Sequence, residues 1–150
     1  DSDGYLQITD RKKSLFKSSG GKYIAPAHIE ELVSSLPYVD QIMIIGNERM
    51  YVTALIVPEI SELKSLAKKL DIKIEFESDM FTNPALIKQI EKDINEVQKN
   101  LASFEKIRKF NLIQTPFTIE GGELTPTLKI KRKFVEEKYK YIIDNMYHKV

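Results

Sequence analysis

The stretch VDQIMIIG, Val39 to Gly46, is followed after the polar link Asn47-Glu48-Arg49-Met50 by YVTALIVP, Tyr51 to Pro58. Both runs are rich in β-branched residues, whose stiff side chains suit the pleated and packed surface of a sheet. So short a link leaves no chain for a crossover, so the two runs are expected to pair antiparallel. Pro58, which has no N–H to donate, closes the second run. Two strands alone are marginal in water, so the rest of the chain has to extend and cover them.

The cover is legible as amphipathic stripes. A helix from Pro26 to Leu36 starts on a first-turn proline, carries Ile29, Leu32, Val33 and Leu36 on one face, and stops at Pro37. A second, from Ile60 to Leu70, turns Leu63, Leu66, Ala67 and Leu70 inward. The longest opens at Asn83-Pro84, a cap followed by a first-position proline, and is expected to run to Leu101. Its stripe is Leu86 or Ile87, then Ile90, Ile94, Val97 and Leu101. IRKFNLIQT alternates Phe110 and Leu112 against Arg108, Lys109 and Asn111 and reads as a third strand. A final helix from Arg132 is expected to bury Val135, Tyr139, Ile142 and Met146.

Near the start, Asp3-Gly4 is a turn leading into a short strand with Tyr5, Leu6 and Ile8, and SLFKSS, Gly20-Gly21 and KYIAP form a small hairpin. DIKIEFESDMF is open between loop and short strand. The fold class is α+β: an entrance β-hairpin and a small three-stranded sheet packed with helices, residues 1–150 forming one domain.

Composition narrows the function. Lys plus Arg number 23 against 22 acidic residues, a formal charge of +1, which is a small excess for a protein that neutralises nucleic-acid phosphates. Cysteine is absent, which excludes disulfides and thiolate chemistry and fits the reducing cytoplasm, where the chain is expected. His28 and His148 lie far apart, so neither a histidine metal site nor a Ser-His-Asp triad is indicated. No apolar run reaches about 18 residues, so no membrane span is expected, and peripheral contact of a parent enzyme with a membrane is left open. The chain begins inside what reads as a strand and turn, without Met, as an excised piece of a longer protein would.

One segment concentrates candidate chemistry. GGELTPTLKIKR, Gly121 to Arg132, brings Lys129, Lys131 and Arg132 close together after a glycine turn. By itself it reads as a solvated basic patch, as a nucleic-acid contact, or as a loop carrying one lysine into an active site. A stand-alone basic binding module would use these cations together with Lys12, Lys13 and Lys17, but no aromatic residues are interleaved among them to stack bases.

Two stretches read together select among these. DGYLQITDRKKSLFKSSGGKYIAPAHIEELV, Asp3 to Val33, resembles the entrance to the C-terminal lid of adenylate-forming enzymes, and ELTPTLKIKRKFVEEKY, Glu123 to Tyr139, resembles the lysine loop of the same lid. The form Thr-Pro-Thr-Leu-Lys and the insertion carrying Asn83 to Leu101 are most similar to long-chain fatty acid–CoA ligases; the lid of a small-acid or aryl ligase is the neighbouring alternative. Many relatives have Gly before the lysine, where this chain has Leu128.

The resemblance implies a two-step reaction: a carboxylate attacks the α-phosphate of ATP, then the thiol of coenzyme A displaces AMP. It implies Lys129 as the catalytic lysine, Lys13 as the hinge, and Arg11 as a contact to the nucleotide. Gly20 and Gly21, with Ser19 and Lys22, fall on the coenzyme A side, and Lys131 and Arg132 are candidates for its phosphates. The companion is the parent's own N-terminal domain, which would hold most of the ATP and Mg²⁺ and the fatty acid; no metal ligands are assigned to this chain. Alone, the fragment is expected to be inactive.

Overall fold

The computed structural model describes residues 15–147. Strand β4 (Val52–Pro58) is the centre: antiparallel to β3 (Val39–Ile45) on one side and parallel to β5 (Ile107–Leu112) on the other, in the order β3-β4-β5. The parallel pairing is possible because the chain leaves β4 through helix α2 (Ile60–Lys69) and helix α3 (Pro84–Val97) before returning as β5. Every residue of β4 is buried, so both faces of the sheet are covered.

The period-two alternation divides the interior. Val52, Ala54 and Ile56 face one core with Ile42 and Ile44; Leu55 and Val57 face the other with Met43 and Ile45. The first core is closed by α1 (Pro26–Ser34), α2 and α3 through Ile29, Val33, Leu63, Ala67, Leu86, Ile90 and Ile94. The second is closed by α4 (Arg132–Lys138) and α5 (Lys140–Tyr147) through Val135, Ile143 and Met146. The entrance hairpin, β1 (Phe16–Lys17) paired antiparallel with β2 (Tyr23–Ile24), drops Phe16 and Ile24 into the first core.

The expected α+β architecture is present, with the Asn83 cap in place: its Oδ1 accepts the Leu86 N–H at 3.0 Å. Three local expectations are corrected. Helix α3 ends at Val97 rather than Leu101, because Gln98 turns inward and pairs with both backbone groups of Ile107, which starts β5. DIKIEFESDMF is neither strand nor plain loop: Glu77–Phe81 is a 3₁₀ turn that buries Met80 and Phe81. The final helix breaks at Tyr139, and the break shifts its phase so that Ile143, not Ile142, is fully buried. The strand expected at Tyr5 to Ile8 lies outside the described residues. Among the described residues no helix is long and apolar enough to cross a membrane.

Candidate functional site

The segment from Gly121 to Arg132 folds as a second, smaller hairpin. Leu124 and Ile130 form an antiparallel bridge, and both sink partway into the second core. The tip is a tight turn in which the Leu128 N–H donates to the Thr125 carbonyl at 2.8 Å, with Pro126 at the second position, where its fixed φ fits. Leu128 then takes a left-handed conformation, φ 66°. That is the bulge position closing such turns, and glycine is its usual occupant. A side chain there costs about 1–2 kcal/mol. The hydrogen bonds that hold it run to the next residue: the Thr125 N–H donates to the Lys129 carbonyl at 2.8 Å, and the Lys129 N–H donates to Thr125 Oγ1 at 3.1 Å. The backbone of Lys129 is therefore fixed while its side chain is exposed, and among the described residues it forms no ion pair.

The base of this hairpin is built on Glu123, whose side chain is only 2% exposed. Its carboxylate accepts the Thr118 N–H at 3.0 Å and the ammonium of Lys138, and its carbonyl accepts the Lys131 N–H at 2.7 Å. The Lys138 ammonium, and next the Thr118 N–H, hold the carboxyl below the usual range against the opposing effect of burial. Gly122 has φ 91°, and a Cβ there would meet the Phe134 ring at 2.8 Å, so the turn admits only glycine at this point.

Arg132 opens α4 and turns away from solvent. Its guanidinium makes two contacts of 3.0 Å to Glu30 on α1 and donates to the Ile44 carbonyl at 3.2 Å, while lying 5.4 Å over the Phe16 ring. The charge read from sequence as a phosphate contact is thus committed inside the domain. Lys131, exposed, lies 5.7 Å over the Phe134 ring.

In the entrance hairpin, Gly21 has φ 85° and needs to be glycine for that reason. Gly20 differs: among the described residues a Cβ there would meet only Ser18 Oγ, at 3.9 Å. Among the described residues nothing local requires glycine at 20. Ser19 donates its N–H to the Arg49 carbonyl at 3.0 Å, which seats the hairpin on the β3–β4 turn, and Lys22 lies 5.9 Å over Phe104. An open cleft of 1130 Å³ runs between Phe16 and Arg49 on one wall and Lys131, Arg132 and Phe134 on the other. The two motifs, more than a hundred residues apart in sequence, are thereby brought onto one face. Arg11 and Lys13 lie outside the described residues. Among the described residues no His, Asp or Glu cluster is suited to a metal ion.

The sequence profile of the AMP-binding enzyme C-terminal domain matches residues 14–150. The chain belongs to that family. It is 36% identical over 99% of its length to the long-chain-fatty-acid–CoA ligase FadD15 of Mycobacterium tuberculosis, and equally so to the long-chain-fatty-acid–CoA ligase 5 of Mus musculus. These matches cover 25% and 22% of the two proteins, so the chain spans about a quarter of the length of the curated relatives it matches. Among solved structures, the adenylation domain of a carboxylate reductase from Mycobacterium chelonae superposes with a TM-score of 0.73 and 30% identity, covering 91% of this chain and 20% of that one.

Within this AMP-binding C-terminal domain, the sequence marked the cations of the lysine loop but not the carboxylates that pair with Arg132 and Lys138. Glu123 carried a weak signal: it is the acid of the segment Gly121 to Arg132, although Glu120 stands just before the glycines. Glu30 carried none, because its partner lies 102 residues away and nothing local marks the pair.

Proposed function

We propose that the chain is the mobile C-terminal lid of a long-chain fatty acid–CoA ligase, excised from a larger AMP-forming enzyme, and that Lys129 is the lysine it delivers to the adenylation step. The observation that carries the reading is the division of labour among the cations of one motif. Arg132 is paired with Glu30 and Lys138 with Glu123, which leaves Lys129, Lys131 and Lys133 exposed without an ion pair among the described residues, and of these three Lys129 is the one carried on the hydrogen-bonded turn that starts at Thr125.

When a fatty-acid carboxylate attacks the α-phosphate of ATP and expels pyrophosphate, negative charge gathers on the attacking and phosphoryl oxygens. An ammonium about 4 Å away contributes on the order of 4 kcal/mol at an effective dielectric near 20. In this reading Arg11 contacts the nucleotide and Lys13 is the hinge about which the lid turns. The second pose then brings the entrance hairpin to the pantetheine arm of coenzyme A, with Gly20 at the close approach and Gly21, Ser19 and Lys22 beside it. Lys131 remains available to a coenzyme A phosphate; Arg132 does not, unless it leaves Glu30. ATP, the fatty-acid tunnel and Mg²⁺ belong mainly to the N-terminal companion, and the lid alone is inactive.

The experiment is Lys129→Ala in the full-length enzyme, with the two half-reactions measured apart. Acyl-adenylate formation should fall by about 10²–10³, the usual loss for one electrostatic stabiliser, while thioester formation from supplied acyl adenylate survives. Equal losses in both halves would overturn the assignment.

A further inference from the structure

We propose that Glu123 and Lys138 form a positioning pair that sets the direction in which the Lys129 hairpin projects, and so governs adenylation without touching substrate. This rests on the reading of Lys129 given above.

The argument starts from what a buried carboxylate needs. Glu123 is nearly sealed from water, and an ionised carboxyl there is tolerated only with partners that replace its hydration. It has them from two directions in the chain: the Thr118 N–H, ahead of the glycine turn, and the Lys138 ammonium, on α4 beyond the hairpin. The same residue accepts the Lys131 N–H on its carbonyl, at the hairpin's exit. Upstream, Gln41 of β3 pairs with both the N–H and the carbonyl of Phe117, next to Thr118, at 2.7 and 3.0 Å. One continuous set of bonds thus runs from the central sheet through Phe117, Thr118 and Glu123 to α4, and the Lys129 turn is hung from it.

The glycine turn is shaped around this carboxylate. A Cβ on Gly121 would fall 2.8 Å from Thr118 Oγ1 and against Glu123 Oε1 itself. The Leu124–Ile130 bridge holds the hairpin together and its two side chains pack partway into the second core; the Glu123 contacts add a polar tether at its base, beside the Leu124 N–H donated to the Thr118 carbonyl at 3.1 Å. The carboxylate of this pair is sealed while the Lys138 side chain is 40% exposed, so the pair adds little stability of its own, and the best-attested contribution of such pairs is to specify one register. Here the register specified is that of an exposed lysine six residues on. Placement matters at that point, because a shift of about 1 Å at a reacting centre can cost ~10²-fold in rate.

The test uses the full-length enzyme, with pyrophosphate release on fatty acid and ATP measured separately from thioester formation on supplied acyl adenylate and coenzyme A. Glu123→Gln keeps an acceptor for Thr118 and removes the charge; Lys138→Met removes the ammonium from its partly exposed side and guards against a Glu123 variant that does not fold. Both should slow adenylation by about 10- to 100-fold, leave the thioester half-reaction within about twofold, and in combination be no worse than the more severe single change. Lys138→Arg should restore most of the adenylation rate. Parallel loss of both half-reactions, or unchanged adenylation in both variants, would overturn the proposal. Lys129→Ala run alongside separates the failures. If it abolishes adenylation and the pair variants do not, only the positioning claim falls; if it leaves adenylation intact, the claim falls together with the reading it rests on.

Discussion

Replacing Arg132 with leucine removes a guanidinium that holds three structural elements at once. Its partners are the Glu30 carboxylate at 3.0 Å on α1 and the Ile44 carbonyl at 3.2 Å on β3, and its own residue begins α4. The Arg132 side chain is 28% exposed and that of Glu30 17%, so the pair sits between two known regimes. Solvent-exposed pairs contribute about 0–1 kcal/mol, whereas removing one member of a fully buried pair costs about 3–5 kcal/mol. Glu30 also keeps one partner after the change, the Ile44 N–H at 2.9 Å, which softens the loss. The expected cost of Arg132→Leu is therefore about 2–3 kcal/mol, or a fall of about 4–12 °C in the melting temperature of a domain this size. Glu30→Gln keeps the acceptor for Ile44 and should cost about 1–2 kcal/mol. Urea unfolding followed by circular dichroism on the two single variants and the double variant gives the coupling energy, expected at about 1–2 kcal/mol with unchanged m-values. Raising the salt from 0.1 to 1 M should reduce it only modestly, because the pair is less than one-third exposed. A coupling below about 0.3 kcal/mol, the scatter of independent sites, would show that the pair is a surface contact. Arg132 would then be released for the phosphate role that its place beside Lys131 suggests.

Two further outcomes are expected. Gly20→Val should leave the unfolding midpoint of the chain nearly unchanged, since a Cβ there meets only Ser18 Oγ at 3.9 Å, yet slow the thioester half-reaction of the full-length enzyme; wild-type turnover would reduce Gly20 to an ordinary turn residue. Burial pushes the Tyr147 hydroxyl up to about 12, above its value near 10 in the unfolded chain. A raised folded-state pKa means that this contribution is complete below pH 10 and is lost as pH climbs toward 12, with a slope of at most ~1.4 kcal/mol per pH unit. Urea midpoints between pH 9.5 and 11.5 should fall less steeply for Tyr147→Phe than for the parent, the remaining slope including Tyr38, whose hydroxyl is also raised by burial and by Asp93. Identical slopes would remove Tyr147 from the account.

The antiparallel pair β3–β4 was readable from sequence because both runs are rich in β-branched residues and are joined by a short link. Helices α1, α2 and α3 were readable from stripes and prolines, which are local signals. What escaped depended on a side chain choosing a distant partner. Gln98 could have continued the helix on propensity alone; it stops it because a buried amide finds both polar groups of Ile107. The phase of α5 escaped for a similar reason, since a stripe drawn through an unbroken helix cannot anticipate a break at Tyr139. In the candidate site, Lys129 was legible as part of a motif, but its isolation was not, because that depends on where Arg132 and Lys138 send their charges.

These commitments bear on how the domain would move in the role proposed for it. The entrance hairpin is bonded to the β3–β4 turn through Lys17, Ser19, Asn47, Glu48 and Arg49, and α4 is bonded to the end of β3 through Arg132. Arg132 also lies over Phe16, which makes the two candidate segments direct neighbours. Segments tied this way to the same strand cannot exchange places by local rearrangement without breaking bonds inside the domain. If Lys129 serves one half-reaction and the Gly20 hairpin the other, the exchange has to be a rotation of the whole body about a hinge outside it. A clamp across the cleft, such as a flexible thiol cross-linker joining cysteines placed at the exposed Leu15, beside the entrance hairpin, and Lys133 of α4, should then leave both half-reactions running. A clamp that abolished either would mean that the segments move separately, and the rigid lid would have to be abandoned.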